Sequence, residues 1–448
     1  MAYRMVEEAS LVAVAEAIRE RNGSAHALTF PDGFVQAIQT VGSGASGDVR
    51  FLDYDGTVLY AYSLEQVQAL TGLPPLPAHD GLVCQGWNRT LESIQALQGP
   101  VTVGAMYITD DGATRLGIRI AVPGRMTVPL YIGQTVANGV SIDWGDGSDE
   151  ETLSGTGNVN TTHTYAQPGD YTISLMPDDG CTLSFGNGTS GCCVLGSVDS
   201  SGKVYTNMLR AVCIGKNVSA VRSYGFHDCR GLKTVTIPRG VGSIGGYAFQ
   251  DCYSLVSLTI PDGVSAVGRN TFQNCQSMVA VSIPEGVTSI ADYAFQDCHS
   301  LAQIAIPLGV STVGNYAFQY CRALEGAVIP EGVTAVADHA FQYCSSLAEA
   351  VIPEGVTTIG GYAFQDCQGL ARVRVPGSVT EIGSNAFSGC GGVECFDFSG
   401  CAVVPTLSNT SAFSGIAADC QIRVPAALLA QWSAATNWVA YADKIIGV

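Results

Sequence analysis

The chain has 448 residues, 39 acidic and 21 basic, for a formal net charge of -18. That length calls for several domains rather than one core. With four lysines and no basic stripe to neutralise phosphates, nucleic acid is excluded as a partner, and an anionic membrane surface would repel the chain.

Leu11, Val14, Ala15 and Ile18 recur at i, i+3, i+4 and i+7, which predicts an amphipathic helix over 7–21, ended by Asn22-Gly23. A second short helix is expected from Phe34 to Val41, so residues 1–41 read as a helical attachment module. Arg4, Glu7, Glu8 and Glu16 interrupt any secretory apolar core. No apolar run approaches the ~18 residues that span a bilayer, so no membrane insertion is expected. Gly42 to Asp48 is a flexible linker by composition.

Residues 49–114 read as a small mixed β module. VRFLDYDGTVLYAY predicts a hairpin turning at Asp55-Gly56, and Ser63 is placed to cap a short helix reaching Leu70. VTVGAMYITDDGATRLGIRI predicts another hairpin, turning at Asp111-Gly112. Residues 115–178 alternate apolar and polar without helical periodicity, which predicts a β-sandwich. Here DWGDGS (Asp143 to Ser148) and HTYAQPGDYTISL (His163 to Leu175) resemble the PKD family of immunoglobulin-like domains. The resemblance implies a spacer or adhesion module. Residues 179–208, with Cys181, Cys192 and Cys193, are expected to be a loop-rich adaptor.

From Tyr224 to Cys390 one pattern repeats in steps of 23 residues. Phe226, Phe249, Phe272, Phe295, Phe318, Phe341, Phe364 and Phe387 keep the step, as do eight cysteines from Cys229 to Cys390 and seven prolines from Pro238 to Pro376. A strict period of this length means a solenoid whose units bury their apolar faces on one another. Leu255, Leu258 and Ile260 should face inward from a strand that Pro261 ends for want of an N–H. The cysteines read as a buried ladder of small hydrophobes; inter-coil disulfides or a metal stripe are the alternatives. The repeats resemble BspA-type leucine-rich repeats over 209–398, a family of mostly surface and adhesion proteins whose repeat residues are not catalytic. Residues 399–448 should supply a degenerate coil, with Phe413 displaced, then a last strand and a capping helix. The fold class is therefore mainly β and multidomain: short N-terminal helices, a mixed β module, a PKD-like sandwich and a capped leucine-rich-repeat solenoid.

Two faces of the solenoid are candidates for binding. The outward strand positions run from Thr234 to Arg374 and are small and neutral until the C-terminal coils; Gln303, Glu349, Arg372 and Arg374 are the ligand-binding candidates there. A second stripe carries Tyr224, Tyr247, Tyr293, Tyr316 and Tyr362, and Tyr293 and Tyr316 are its candidates, as ring faces that could stack on sugars.

Catalytic signals are weak. FLDYDGT (Phe51 to Thr57) resembles the first motif of haloacid-dehalogenase-type phosphatases, which would make Asp53 nucleophile and Asp55 acid/base. That family needs a lysine between its acidic motifs, and none precedes Lys203. Asp143, Asp146 and Asp149 could gather calcium, although a turn accounts for the first two. No catalytic residue, metal or cofactor is expected.

ASLVAVAEAIRERNGSAHALTFPDGFVQAIQTV (Ala9 to Val41) and FLDYDGTVLYAY…GWNRT…MYITDDGATRLGI resemble segments of phage and prophage tail proteins, departing at Arg89, where the family more often has tryptophan. The resemblance implies a virion structural protein, a tail fibre or receptor-binding protein. Its partners would be other tail proteins and a host-surface protein or carbohydrate, and a homo-oligomer is compatible. The alternative is a bacterial cell-surface adhesin of the BspA type.

Overall fold

The computed structural model describes residues 48–96, 100–121, 124–186, 193–196 and 205–448. The helices expected over 7–21 and 34–41, the linker up to Gly47, and Cys192 lie outside them. The protein is mainly β, with 31% strand and 7% helix, and its C-terminal part is a β-solenoid of about ten turns.

β1 (Val49–Leu52) and β2 (Val58–Tyr62) pair antiparallel around the Asp55-Gly56 turn, as their pattern predicts, and Gly56 supplies the positive φ. β1 also runs parallel to β4 (Val101–Thr109), which pairs antiparallel with β3 (Leu82–Trp87). α1 (Leu64–Gln68) starts at Ser63, whose hydroxyl accepts from the Gln66 N–H while the Gln66 side chain accepts from the Ser63 N–H. With α2 (Leu91–Gln95) it brings Val67 and Ile94 onto Phe51, Trp87, Val103 and Tyr107.

The hairpin expected at Asp111-Gly112 does not form. β4 stays in the module sheet, whereas β5 (Thr114–Ile120) pairs with β10 (Gly169–Pro177) and β12 (Leu209–Cys213). The physical reason is that the two strands cover different cores. Val101, Val103, Ala105 and Tyr107 belong to the module core, and Leu116, Ile118 and Ile120 to the large one.

β5, β10, β7 (Val140–Asp143) and β8 (Glu151–Thr152) form one sheet. β6 (Thr127–Gln134), β9 (Gly157–Thr164) and β11 (Leu183–Phe185) belong to a second. Both sheets run on into the solenoid: β12 adds to the first beside β5, and β13 (Val218–Val221) adds to the second beside β11. One continuous core therefore extends from Leu116 to Ile445. Residues 179–208, expected to be a loop-rich adaptor, include β11 and the buried Cys181 and Cys193.

Each coil stacks its neighbour's like residues. The ladder phenylalanines lie face to face, with centroids 5.3 to 5.7 Å apart from Phe226 through Phe387 and on to the displaced Phe413. The ladder cysteines are buried and unbridged. From Cys252 on, each thiol donates to the carbonyl of the phenylalanine one coil back, as in Cys298 Sγ to Phe272 O at 3.2 Å. That weak bond explains why a small thiol suits the position. Beside it runs a chain of side-chain amides in which Gln250, Gln273, Gln296, Gln319 and Gln342 each donate Nε2 to the Oε1 of the next, ending on Gln365. At the far end, Trp432 of α3 (Leu429–Ala434) and Trp438 close the core, and the last strand, Ile445–Gly447, pairs with Gln421–Val424.

Candidate binding surface

The outward strand face is divided in two. Its first half is largely covered: Thr236, Ser257, Thr259 and Ser282, expected to be outward-facing, are buried because the N-terminal module lies across them, while Thr234 and Ala280 are half-buried. β4 is the contact strand. Its Gly104 sits so close to Thr259 that a Cβ there would stand 2.0 Å from the threonine hydroxyl, and the Thr102 carbonyl accepts from Ser282 Oγ at 2.7 Å.

Asn88 and Arg89 fasten this contact. Asn88 donates to the Ile260 carbonyl at 3.0 Å and accepts from the Gly104 N–H and the Ser282 hydroxyl. Arg89, fully shielded from solvent, donates to the Ile283 carbonyl and pairs with Glu285. Burial draws its guanidinium down to about 10.

Those two carbonyls are available for a reason written in the repeat. In a parallel ladder the Ile260 N–H bonds to Ser282 O, so the Ile260 carbonyl should accept from residue 284. Residue 284 is proline, and for Ile283 the corresponding residue is Pro307. Neither can donate. Side chains of the module fill in for the missing ladder donors.

Beyond Gln303 the face is open. Gln303 itself is half-buried in a stretch outside any strand, at the boundary where Ala305 still packs on the module. Val328 and Val351 follow, 45% and 43% exposed, with Glu349, Arg372 and Arg374 exposed around them. Arg372 and Arg374 make only loose ion pairs, 3.9 Å to Glu394 and 3.5 Å to Glu354. Such exposed pairs hold a side chain weakly, so both guanidiniums stay available. Here too the ladder donors for Ile329 and Ile352 are replaced, by Pro353 and Pro376.

The second stripe departs from its expected form. Tyr293 and Tyr316 stack on each other at 4.7 Å, and the column continues through His339 at 4.4 Å to Tyr362 at 4.6 Å. Arg269 sits over the remaining face of Tyr293. The faces of the two candidate tyrosines are thus occupied by neighbouring side chains. All four column residues have φ between 57° and 59°, a left-handed conformation that Asn270 and Asn385 adopt more easily at the same position.

Residues 204–325 and 265–394 match the family model described as BspA type leucine rich repeat region, in six copies. The solenoid is built of BspA-type leucine-rich repeats. Similar solved structures include a leucine-rich repeat protein from Bacteroides ovatus, 19% identical, covering 52% of this chain and 88% of that one, with a TM-score of 0.30. A T. pallidum leucine rich repeat protein is 26% identical over 44% of this chain and 86% of its own, with a TM-score of 0.33. A leucine rich cell surface protein from Faecalibacterium prausnitzii is 21% identical over 57% and 93%, with a TM-score of 0.27. No curated protein matches the chain.

Outside the leucine-rich repeats, the candidate carboxylates are engaged in local structure. Asp53 accepts from the Tyr54 N–H and pairs with His79 at 2.7 Å, while Asp55 accepts from the Thr57 N–H. Asp143 and Asp146 accept from the Gly145 and Ser148 N–H groups. Asp146 also pairs with His163, which stacks on the buried Trp144, and these contacts hold its carboxyl down at about 2. Among the described residues no three His, Cys, Asp or Glu side chains gather as a metal site.

Proposed function

We propose that this protein is a binding protein of the bacterial cell-surface, adhesin type, which engages a protein partner through the open half of its strand face. One observation carries the reading. The closed half of the same face already holds a folded module, by burying small side chains and by offering proline-orphaned carbonyls to Asn88 and Arg89. The open half continues that chemistry, with Val328 and Val351 as the apolar stripe and Arg372 and Arg374 at its end. A partner with amide or guanidinium donors along a strand edge, and an acidic group toward the arginines, fits this surface. In this reading the protein is not an enzyme, and the strands between the module and the repeats, with the WGDG turn, serve as a PKD-like spacer.

The test is adsorption of the full chain to cells or to candidate surface extracts. A Val328→Asp/Val351→Asp variant and an Arg372→Glu/Arg374→Glu variant should both lose adsorption while keeping the wild-type melting profile. Unchanged adsorption in both overturns the assignment. A second reading, a phage tail fibre or receptor-binding protein docked to other tail proteins, is favoured by the resemblance of residues 9–41 and 51–118 to tail proteins. It predicts that the protein co-purifies with virions, and that deleting residues 1–48 prevents incorporation.

A further inference from the structure

Away from the strand face, two ladders stop at the same place. The aromatic column Tyr293–Tyr316–His339–Tyr362 has no ring after Tyr362, because Asn385 takes the next position. Beside it runs a ladder of short polar side chains one residue earlier in each coil. Asn315 N–H donates to Asp292 Oδ1 at 2.8 Å, Asp338 N–H to Asn315 Oδ1 at 3.1 Å, and Gly361 N–H to Asp338 Oδ1 at 2.7 Å. Gly361 has no side chain to offer the next rung, the N–H of Ser384. A Cβ at Gly361 would meet the Ser384 nitrogen at 4.0 Å and nothing closer than 3.5 Å, so the empty rung is space that a side chain could fill.

A groove of 370 Å³ opens at this point, lined by Asp338, His339, Gly361, Tyr362, Glu381 and Ser384 among others. Its size is at the lower end of small-molecule sites, which run roughly 300–1,000 Å³. Gln342 Oε1 already accepts from Gln319 and also lies 2.7 Å from His339 Nδ1, which therefore donates to it. The lining thus interleaves acceptors, the carboxylates of Asp338 and Glu381, with donors, the Ser384 N–H and hydroxyl. Tyr362, the last ring of the column, is among the lining residues.

We propose that this groove binds one neutral sugar residue of a glycan, seated where the next rung of both ladders is missing. A hydroxyl both donates and accepts, so a polyol answers the carboxylates and the Ser384 N–H together. An anion would meet Asp338, Glu381 and a net charge of -18. An amine would leave the N–H unanswered. The apolar C–H face of a pyranose suits the last aromatic of the column, whose ring face carries partial negative charge. The site is separate from the strand face and stands or falls independently of adhesion there.

The experiment is saturation-transfer NMR on the full chain with the methyl glycosides of glucose, galactose, mannose and N-acetylglucosamine, and with glucuronic acid as the charged control. At least one neutral glycoside should show transfer and the uronate none. Gly361→Asn, which restores the missing rung, and Tyr362→Asn, which installs the residue found at positions 270 and 385, should both abolish the signal. Circular dichroism should confirm that each variant keeps the solenoid. No transfer to any neutral glycoside, transfer to the uronate alone, or transfer that persists in both folded variants would overturn the proposal. Loss of adsorption by the strand-face variants would leave this signal unchanged.

Discussion

Replacing Glu285 by glutamine should release the N-terminal module from the solenoid. The Arg89 side chain is 0% exposed, whereas its counter-ion Glu285 keeps about a third of its surface in water. The penalty therefore falls on the arginine, left buried with only the Ile283 carbonyl to answer its charge. Breaking a buried pair costs about 3–5 kcal/mol. Because one partner is partly solvated, the low end applies, about 3 kcal/mol. At about 1.4 kcal/mol per decade, the undocked population should rise roughly 100-fold.

Native-state hydrogen exchange at the β4 amides reads that population directly. Arg89→Met should cost less than Glu285→Gln, and the double variant should recover part of the loss, since neither then leaves a buried charge. A coupling energy of about 1 kcal/mol or less, the value of an exposed pair, would refute the argument. Gly104→Ala tests the same interface without touching charge: its Cβ, 2.0 Å from the Thr259 hydroxyl, should also free the module. Wild-type exchange in that variant would mean the contact is looser than described.

Two further outcomes follow from the ladders. Gln319→Leu should leave Gln296 Nε2 unpaired, at about 1–3 kcal/mol, while Gln342 Oε1 keeps His339 Nδ1; a near-neutral shift in the denaturation midpoint would count against the amide chain. Burial pushes the Cys390 thiol up to about 12 from its usual 9.0, and the other ladder thiols are raised as well. The folded state thus stays protonated while the unfolded chain ionises, so stability should be full below pH ~9 and fall toward pH ~12. Denaturant midpoints of the wild type against Cys390→Ala across that range would check the sign; parallel curves would disprove it.

The solenoid was legible because its step is strict, and Phe, Cys and Pro each mark a different wall of the coil. The amide chain was equally visible, as the glutamine after each phenylalanine from Phe249 to Phe364, but a polar residue beside a core position reads as surface until its partner is known. The docking of the module was harder to see. VTVGAMYIT is apolar almost throughout, the mark of a strand covered on both faces, yet nothing in it names the second cover. The same ignorance made the strand face look uniform from Thr234 to Arg374, when the module hides its first half. Arg89 carried a signal only as an oddity, a charged residue where the resembled proteins more often have tryptophan, and Asn88 carried none. The break at Gly361 is one glycine among 53, and only its neighbours' hydrogen bonds give it meaning.

The sharing of both sheets between the strands at 114–185 and the first coils has a mechanical consequence. A bead joined to a rod by a linker pivots, and a pull on one end straightens the linker first. Here β5 is bonded to β12 and β11 to β13, so among the described residues no compliant joint lies between bead and rod. Tension or torque applied at residues 114–185 passes into the coils through sheet hydrogen bonds and a common core. The two parts should deflect as one stiff beam and yield in a single event.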